Sequence, residues 1–231
     1  ANARFEFIKS FGNINFNGSL GTEYNHYNGQ YRNTNVVKLL VPGLYAVSNA
    51  AVAATTDMTE RHTELQSIFA TATFGYKNWV FLDLTGRNDW SSTLPINNNS
   101  YFYPSASLSF VVTDAFGIKS DVLSFAKVRA SYAQVGGTAE PYSLRGSYRA
   151  DQPFNTQPSL YYTYTIPAPD LKPQNKKSKE VGLELKFLQN RLGLDASFYK
   201  ENTINQIMNI AVSNTTGYRN KLVNAGNLQN M

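Results

Sequence analysis

The chain has 231 residues, of which 42% are hydrophobic, 13% aromatic and 16% charged, with a formal net charge of +5. That length admits one large β domain or two ordinary ones, and the absence of cysteine excludes a disulfide framework, thiolate nucleophiles and cysteine-ligated metals. Two histidines, His26 and His62, leave little for a histidine metal site, and no apolar run approaches the roughly 18 residues of a spanning helix, a criterion blind to β-barrels.

The remaining composition points to strands and polar loops. There are 25 Asn, 15 Gly, 15 Tyr and 14 Phe; Asn favours turns and the aromatics favour strands. No charged leader with an apolar core precedes the first elements, so the expectation is a chain that begins after processing or an internal piece.

Seven stripes of alternating polarity follow in chain order. Ile14, Phe16 and Leu20 oppose Asn15, Asn17, Ser19 and Gly21. Ile68, Ala70, Ala72, Phe74 and Tyr76 form a second stripe, with Phe69 interrupting its polar side, and lead into the tight turn Lys77-Asn78. Val80, Leu82 and Leu84 then oppose Phe81, Asp83 and Thr85, and Ala106, Leu108, Phe110 and Val112 oppose Ser107, Ser109 and Val111. After a medium connection over 114–124, with room for one helical turn, Ala126, Val128, Ala130 and Tyr132 alternate with Lys127, Arg129, Ser131 and Ala133. Val181, Leu183, Leu185 and Phe187 alternate with Gly182, Glu184 and Lys186 before the turn Leu188-Gln189-Asn190. Leu192, Leu194, Ala196 and Phe198 close the series against Gly193, Asp195 and Ser197. A period of two places each stripe on one strand face.

The intervening stretches 25–62, 89–103 and 136–175 read as long loops. Long and short connections alternate, as in an antiparallel meander with long loops at one end and short turns at the other. That asymmetry is the pattern of transmembrane β-barrels. The polar faces are mostly Ser, Thr, Asn and Gly with scattered Asp83, Arg87, Lys127, Arg129, Glu184 and Asp195, a composition suited to a wet lumen. The alternatives on periodicity alone are a soluble β-sandwich that binds carbohydrate and a small, complete outer-membrane barrel.

One segment is distinctive. Arg87-Asn88-Asp89-Trp90-Ser91-Ser92-Thr93-Leu94-Pro95, followed by Tyr101-Phe102-Tyr103-Pro104-Ser105-Ala106-Ser107-Leu108-Ser109, resembles the R-x-D-W-S-S-x-L-P and Y-F-Y-P-S-x-S-x-S signature of SusC/RagA-type TonB-linked outer-membrane transporters. Val41-Pro42-Gly43-Leu44-Tyr45 with Ser48-Asn49-Ala50, Lys127-Val128-Arg129-Ala130-Ser131-Tyr132, Leu171-Lys172-Pro173-Gln174, Glu180-Val181-Gly182-Leu183-Glu184, Asn190-Arg191-Leu192, Tyr199-Lys200 and Asn224-Ala225-Gly226-Asn227 are similar to its other motifs. After Tyr132 this chain has Ala133-Gln134-Val135-Gly136-Gly137 where the family usually turns through a G-x-x-G-N sequence.

The resemblance implies an all-β, antiparallel transmembrane β-barrel with long extracellular loops and short periplasmic turns. Residues 1–231, with about nine or ten strands, would be a portion of a barrel of about 22 strands, whose plug and closing strands lie outside the chain. It further implies a non-enzymatic importer of oligosaccharides or peptides in the outer membrane of a Gram-negative bacterium. Its partners would be a SusD-like lipoprotein lid, TonB acting through the plug, and the outer-membrane lipid and lipopolysaccharide, with no cofactor, no metal and no nucleic acid.

Two groups of residues are candidates for sites. Arg87, Asn88, Asp89, Trp90, Tyr101, Tyr103 and Pro104 either contact cargo or a lid, or are architectural, with Arg87 and Asp89 paired and Trp90 anchored at the membrane interface. Tyr161, Tyr162 and Tyr164 either stack on sugars at the mouth or pack among neighbouring loops. Glu180, Glu184 and Asp195 invite comparison with glycosidase carboxylates, but Arg129 and Lys186 offer them partners. The basic run Lys172, Lys176, Lys177 and Lys179 reads as a solvated loop or a contact with anionic lipopolysaccharide, without the interleaved aromatics of a nucleic-acid binder.

Overall fold

The computed structural model describes residues 1–231, the Gln152 side chain apart. Its elements are β1 (Asn2–Phe11), β2 (Ile14–Asn35), β3 (Thr55–Tyr76), β4 (Val80–Ser91), β5 (Ser100–Val111), α1 (Val112–Ala115), β6 (Leu123–Gly137), β7 (Tyr148–Phe154), β8 (Gln157–Tyr162), β9 (Thr165–Ile166), β10 (Gln174–Phe187), β11 (Leu192–Ile204), β12 (Ile207–Ala211), β13 (Asn220–Asn224) and β14 (Asn227–Asn230). Nine strands form one antiparallel sheet in the order β1-β2-β3-β4-β5-β6-β10-β11-β14, and the sheet is open, with β1 and β14 at its edges. Among the described residues no helix is long and apolar enough to cross a membrane, which says nothing of strands.

The register carries the apolar stripes across the sheet on one face. Phe5 lies opposite Leu20, Leu20 opposite Ala70 and Ala72 opposite Leu84. Leu82 lies opposite Leu108, Leu108 opposite Ala130, Ala130 opposite Val181 and Val181 opposite Phe198. No second sheet covers this face among the described residues, and large apolar side chains stand open on it, with Val181 58% and Phe198 67% exposed. A sandwich would bury this face in its core, and a small complete barrel would join β1 to the last strand. The open, uncovered sheet has neither arrangement.

Short connections gather at one end. Lys77 and Asn78 adopt positive φ values of 46° and 61°, the left-handed pair of a tight hairpin turn, and Leu188, Gln189 and Asn190 do so in succession. At this end Tyr76, Trp79, Phe110 and Phe116 meet edge to face, with centroids 5.2 to 6.2 Å apart. On the same face, Trp90 lies opposite Gln66, ten residues along β3 from Tyr76. Ten residues span about 33 Å of strand, a rise of about 23 Å at a tilt near 45°.

The other end differs from the sequence reading in extent. Residues 25–62 read as a loop, yet β2 and β3 stay paired from Ile14↔Tyr76 out to Asn35↔Thr55, leaving 36–54 as the connection. The 89–103 loop shrinks to 92–99, and 136–175 contains β7, β8 and β9. Val112, read as a strand residue, opens α1, the helical turn expected between β5 and β6. Strand β1 and its turn at Gly12, φ +60°, stand ahead of the first stripe read from the sequence.

The buried apolar cluster sits at this outer end, not in the sheet. Leu94, Ala139 and Leu171 form it, packed by Tyr101, Leu144, Ala168, Ile207 and Leu222. Leu171 is 1% exposed.

Candidate functional site

The face opposite the apolar stripe carries the chemistry. Four adjacent strands bring one cluster together around Arg87. Its Nε donates to Asp89 Oδ1 at 2.7 Å, Nη1 to Glu23 Oε2 at 2.9 Å and Nη2 to Ser67 Oγ at 2.8 Å. The Tyr103 hydroxyl donates to the second oxygen of Asp89 at 2.5 Å, and the Tyr101 ring stacks on Tyr103. The guanidinium lies 5.9 Å from the Phe69 ring centre. Phe69 lies flat across Gly21, where an added Cβ would meet the ring at 2.4 Å. Asp89 is 4% exposed, so its charge is stabilised by these donors and not by water.

The sequence-selected signature residues therefore divide by face. Arg87, Asp89, Tyr101 and Tyr103 point to the polar side and share this network. Trp90 takes the apolar face with Leu82 and Leu84, and Asn88 there exchanges hydrogen bonds with the Ser100 hydroxyl. Pro104 lies opposite Gly86.

A second network crosses β6, β10 and β11. Arg129 holds Asp195 with two bonds of 3.0 and 2.7 Å and lies 3.7 Å from Glu180. It reaches over β10 at Gly182, where a Cβ would sit 2.4 Å from its Nε. Glu184 lies 3.9 Å from Lys127 and 3.3 Å from Lys186, and Lys176 holds Glu201 at 2.8 Å. The three carboxylates that invite comparison with a glycosidase are each engaged by a cation.

At the outer end the loop aromatics pack on one another. Tyr161 and Tyr164 stack with centroids 5.5 Å apart, and Arg219 lies 4.5 Å over the Tyr164 ring. Tyr162 meets Tyr148 and Tyr218 edge to face. Tyr164 remains 47% exposed. Beside them a cavity of about 530 Å³ is lined by Arg61, Glu140, Tyr142, Arg145 and Arg149 among others. Arg61 pairs with Glu140 at 2.9 Å and the Tyr142 hydroxyl accepts from the His62 amide. Sequence reasoning missed this cavity, since its lining comes from segments far apart in the chain, with His62 and Tyr142 separated by 80 positions. Farther out on β2, the hydrogen bond shared by the Tyr27 and Tyr31 hydroxyls favours the neutral Tyr27 phenol and raises it above its ordinary pKa.

Two motifs that looked independent in the sequence clasp each other. The Asn224 side chain accepts from the Lys172 amide at 2.8 Å and donates to the carbonyls of Lys172 and Asn205 at 2.8 and 2.9 Å. Asn49 does the same for its own loop, donating to Val41 and Leu44 and accepting from Val41. Among the described residues there is no cluster of His, Cys, Asp and Glu able to hold a metal.

The sequence matches the family model described as TonB dependent receptor-like, beta-barrel, over residues 2–230. TonB-dependent receptor P26 of Formosa agariphila is 27% identical over 171 residues, covering 72% of this chain and 17% of that protein. TonB-dependent receptor P3 of the same organism is 26% identical over 176 residues, covering 73% and 17%. Among solved structures, the RagAB peptide transporter superposes with a TM-score of 0.81 at 20% identity, over 99% of this chain and 26% of that one. The ferric enterobactin receptor PfeA of Pseudomonas aeruginosa gives 0.62 at 14% identity, over 99% and 31%. The chain thus spans 17% of the length of the curated relatives it matches.

Proposed function

The chain belongs to the TonB-dependent receptor-like β-barrel family, and from that membership we propose that it forms part of the wall of an active nutrient importer in the outer membrane of a Gram-negative bacterium. The observation that carries the reading is the uncovered apolar face, continuous across the sheet and bounded by aromatics about 23 Å apart, close to the roughly 25 Å band of such barrels. Lipid covers that face, and the ion networks line a water-filled lumen. The short-turn end is periplasmic and the loop end extracellular. The plug and the strands that complete a barrel of about 22 lie outside this chain.

The importer is of the SusC/RagA type, takes oligosaccharides or peptides, works with a SusD-like surface lipoprotein and draws energy from TonB through its plug. The signature motif and the superposition on RagAB support this. Arg87, Asp89 and Tyr103 tie four strands together at the outer part of the wall, while Trp90 anchors at the interface. Tyr161 and Tyr164 present their exposed faces to cargo at the mouth.

The test is uptake by cells that carry or lack the complete protein, using labelled peptides and labelled oligosaccharides in parallel. Uptake of one class is expected to vanish on deletion and on collapse of the proton-motive force. Equal uptake of every probe by both strains overturns the reading. Replacing Tyr161 and Tyr164 by Ala is expected to lower cargo affinity about tenfold or more, since stacking on each ring contributes on the order of 1 kcal/mol. Undiminished affinity in a heat-modifiable barrel removes them from the cargo site.

A further inference from the structure

The basic run at the start of β10 is divided by the alternation of the strand. Lys176 turns to the polar face and is held by Glu201 at 2.8 Å. Lys177 and Lys179 fall on the apolar face, in line with Val181, Leu183 and Leu185. There Lys179 lies directly opposite Lys200 on β11, and Lys177 opposite Asn202. Like charges at directly opposed positions destabilise a sheet. None of these three lysines has a carboxylate within ion-pair distance among the described residues; the neighbouring Glu180 and Glu201 face the other side and are engaged by Arg129 and Lys176. Three ammonium groups are thus gathered on a face otherwise made for lipid.

What lies beside them is shaped as well as charged. A shallow depression of about 1010 Å³ runs from the lysines down the apolar face, floored by Leu82, Ala106, Leu108, Ala130 and Val181. The small side chains of Ala106 and Ala130 make it concave. Tyr132, Asn202 and Gln229 border its outer end beside the lysines. Lys179 is eight residues from Phe187 at the short-turn end, about 26 Å of strand and about 19 Å of rise at a tilt near 45°. The ammonium groups therefore stand near the outer edge of the apolar band, where headgroups begin.

We infer that Lys177, Lys179 and Lys200, with the depression below them, seat a phosphorylated glycolipid of the outer leaflet: phosphate between the lysines, acyl chain over Ala106 and Ala130. Point-charge ammonium groups at a membrane surface attract anionic headgroups, and a phosphate between Lys179 and Lys200 offsets their repulsion. The outward direction of the site excludes cargo in the lumen. This rests on the chain being barrel wall.

The test uses the complete protein purified in detergent, with native mass spectrometry and thermal unfolding as readouts and bis-phosphorylated lipid A as probe. Bound lipid A and a raised unfolding temperature are expected, with neither effect from lipid A stripped of its phosphates nor from inorganic phosphate at equal concentration. Equal response to inorganic phosphate overturns the lipid assignment, and equal response to the stripped lipid overturns the role of the lysines. Replacing Lys177, Lys179 and Lys200 together by Gln is expected to weaken lipid A binding at least tenfold, whereas Lys176→Gln leaves it unchanged. Lys200→Glu gives a second, well-folded check: it creates an ion pair with Lys179, so the sheet stays intact while lipid A binding falls. Unchanged binding in that variant overturns the inference. Loss of heat-modifiable migration in the unsubstituted protein would instead overturn the barrel reading beneath it.

Discussion

The sheet and its outer loops obey two different sets of rules within one chain. In the sheet, side chains as large as Phe198 and Val181 stand open, and what binds strand to strand is the backbone ladder and polar-face networks such as Arg87 with Glu23, Asp89 and Ser67. In the loops, Leu171 is all but inaccessible, packed with Leu94 and Ala139, and Asn224 ties two loops through three hydrogen bonds. The loop cap is a small water-soluble core; the wall keeps its apolar surface for another solvent. In lipid, apolar surface gains little from burial against protein, while every backbone group must be paired internally. The place where a protein hides its leucines reports which solvent each region meets.

This contrast is broken most severely by an uncompensated charge in the wall. Arg87→Met strips Asp89 of its cation while leaving it buried, and is expected to destabilise the folded barrel by about 3–5 kcal/mol. Urea unfolding in lipid vesicles, followed by heat-modifiable gel migration, measures it; Arg87→Met together with Asp89→Leu should recover most of the loss. In the cap, Leu171→Ala is expected to cost about 2–5 kcal/mol, but only locally. Hydrogen exchange should rise in 92–99 and 138–173 with the wall ladder unchanged, and a uniform rise through β3 and β4 would contradict the separation of the two regions. Leu183→Arg on the apolar face is expected to cost about 2–4 kcal/mol in bilayers, while Ser131→Arg on the polar face stays near neutral in the same titration. Asn224→Ala, which removes three hydrogen bonds at the cap's margin, is expected to cost about 1–3 kcal/mol, seen as faster proteolysis at 205–226 with no change in the wall.

The wall was largely legible in the sequence because one solvent-facing rule repeats along it. Val181, Leu183, Leu185 and Phe187 show their period without reference to any partner. Legibility failed where the rule lapses. On β1, Lys9 interrupts the apolar face and Ile8 the polar one, so no clean stripe marks the strand. Beyond Tyr24, β2 carries polar residues on both faces, so no period shows there; backbone pairing and contacts such as Thr34 with Thr56 hold it extended. The i, i+2 pair Arg87 and Asp89 could be read from spacing, but Glu23, Ser67 and Tyr103 join it only through register. The cap core was not legible at all, since Leu94, Ala139 and Leu171 are single apolar residues in three separate loops.

The central claim is that one face of this sheet lies against lipid and the other against water. The chain has no cysteine, so single cysteines placed in turn at 180, 181, 183 to 185 and 194 to 198 of the complete protein, spin-labelled in vesicles, report accessibility to oxygen from the bilayer and to a nickel chelate from water. The account predicts a period of two: labels at 181, 183, 185, 194, 196 and 198 relax with oxygen, and those at 180, 184, 195 and 197 with the chelate, Gly182 being left unlabelled because Arg129 crosses it. Equal chelate accessibility on both faces, or no alternation, would contradict it.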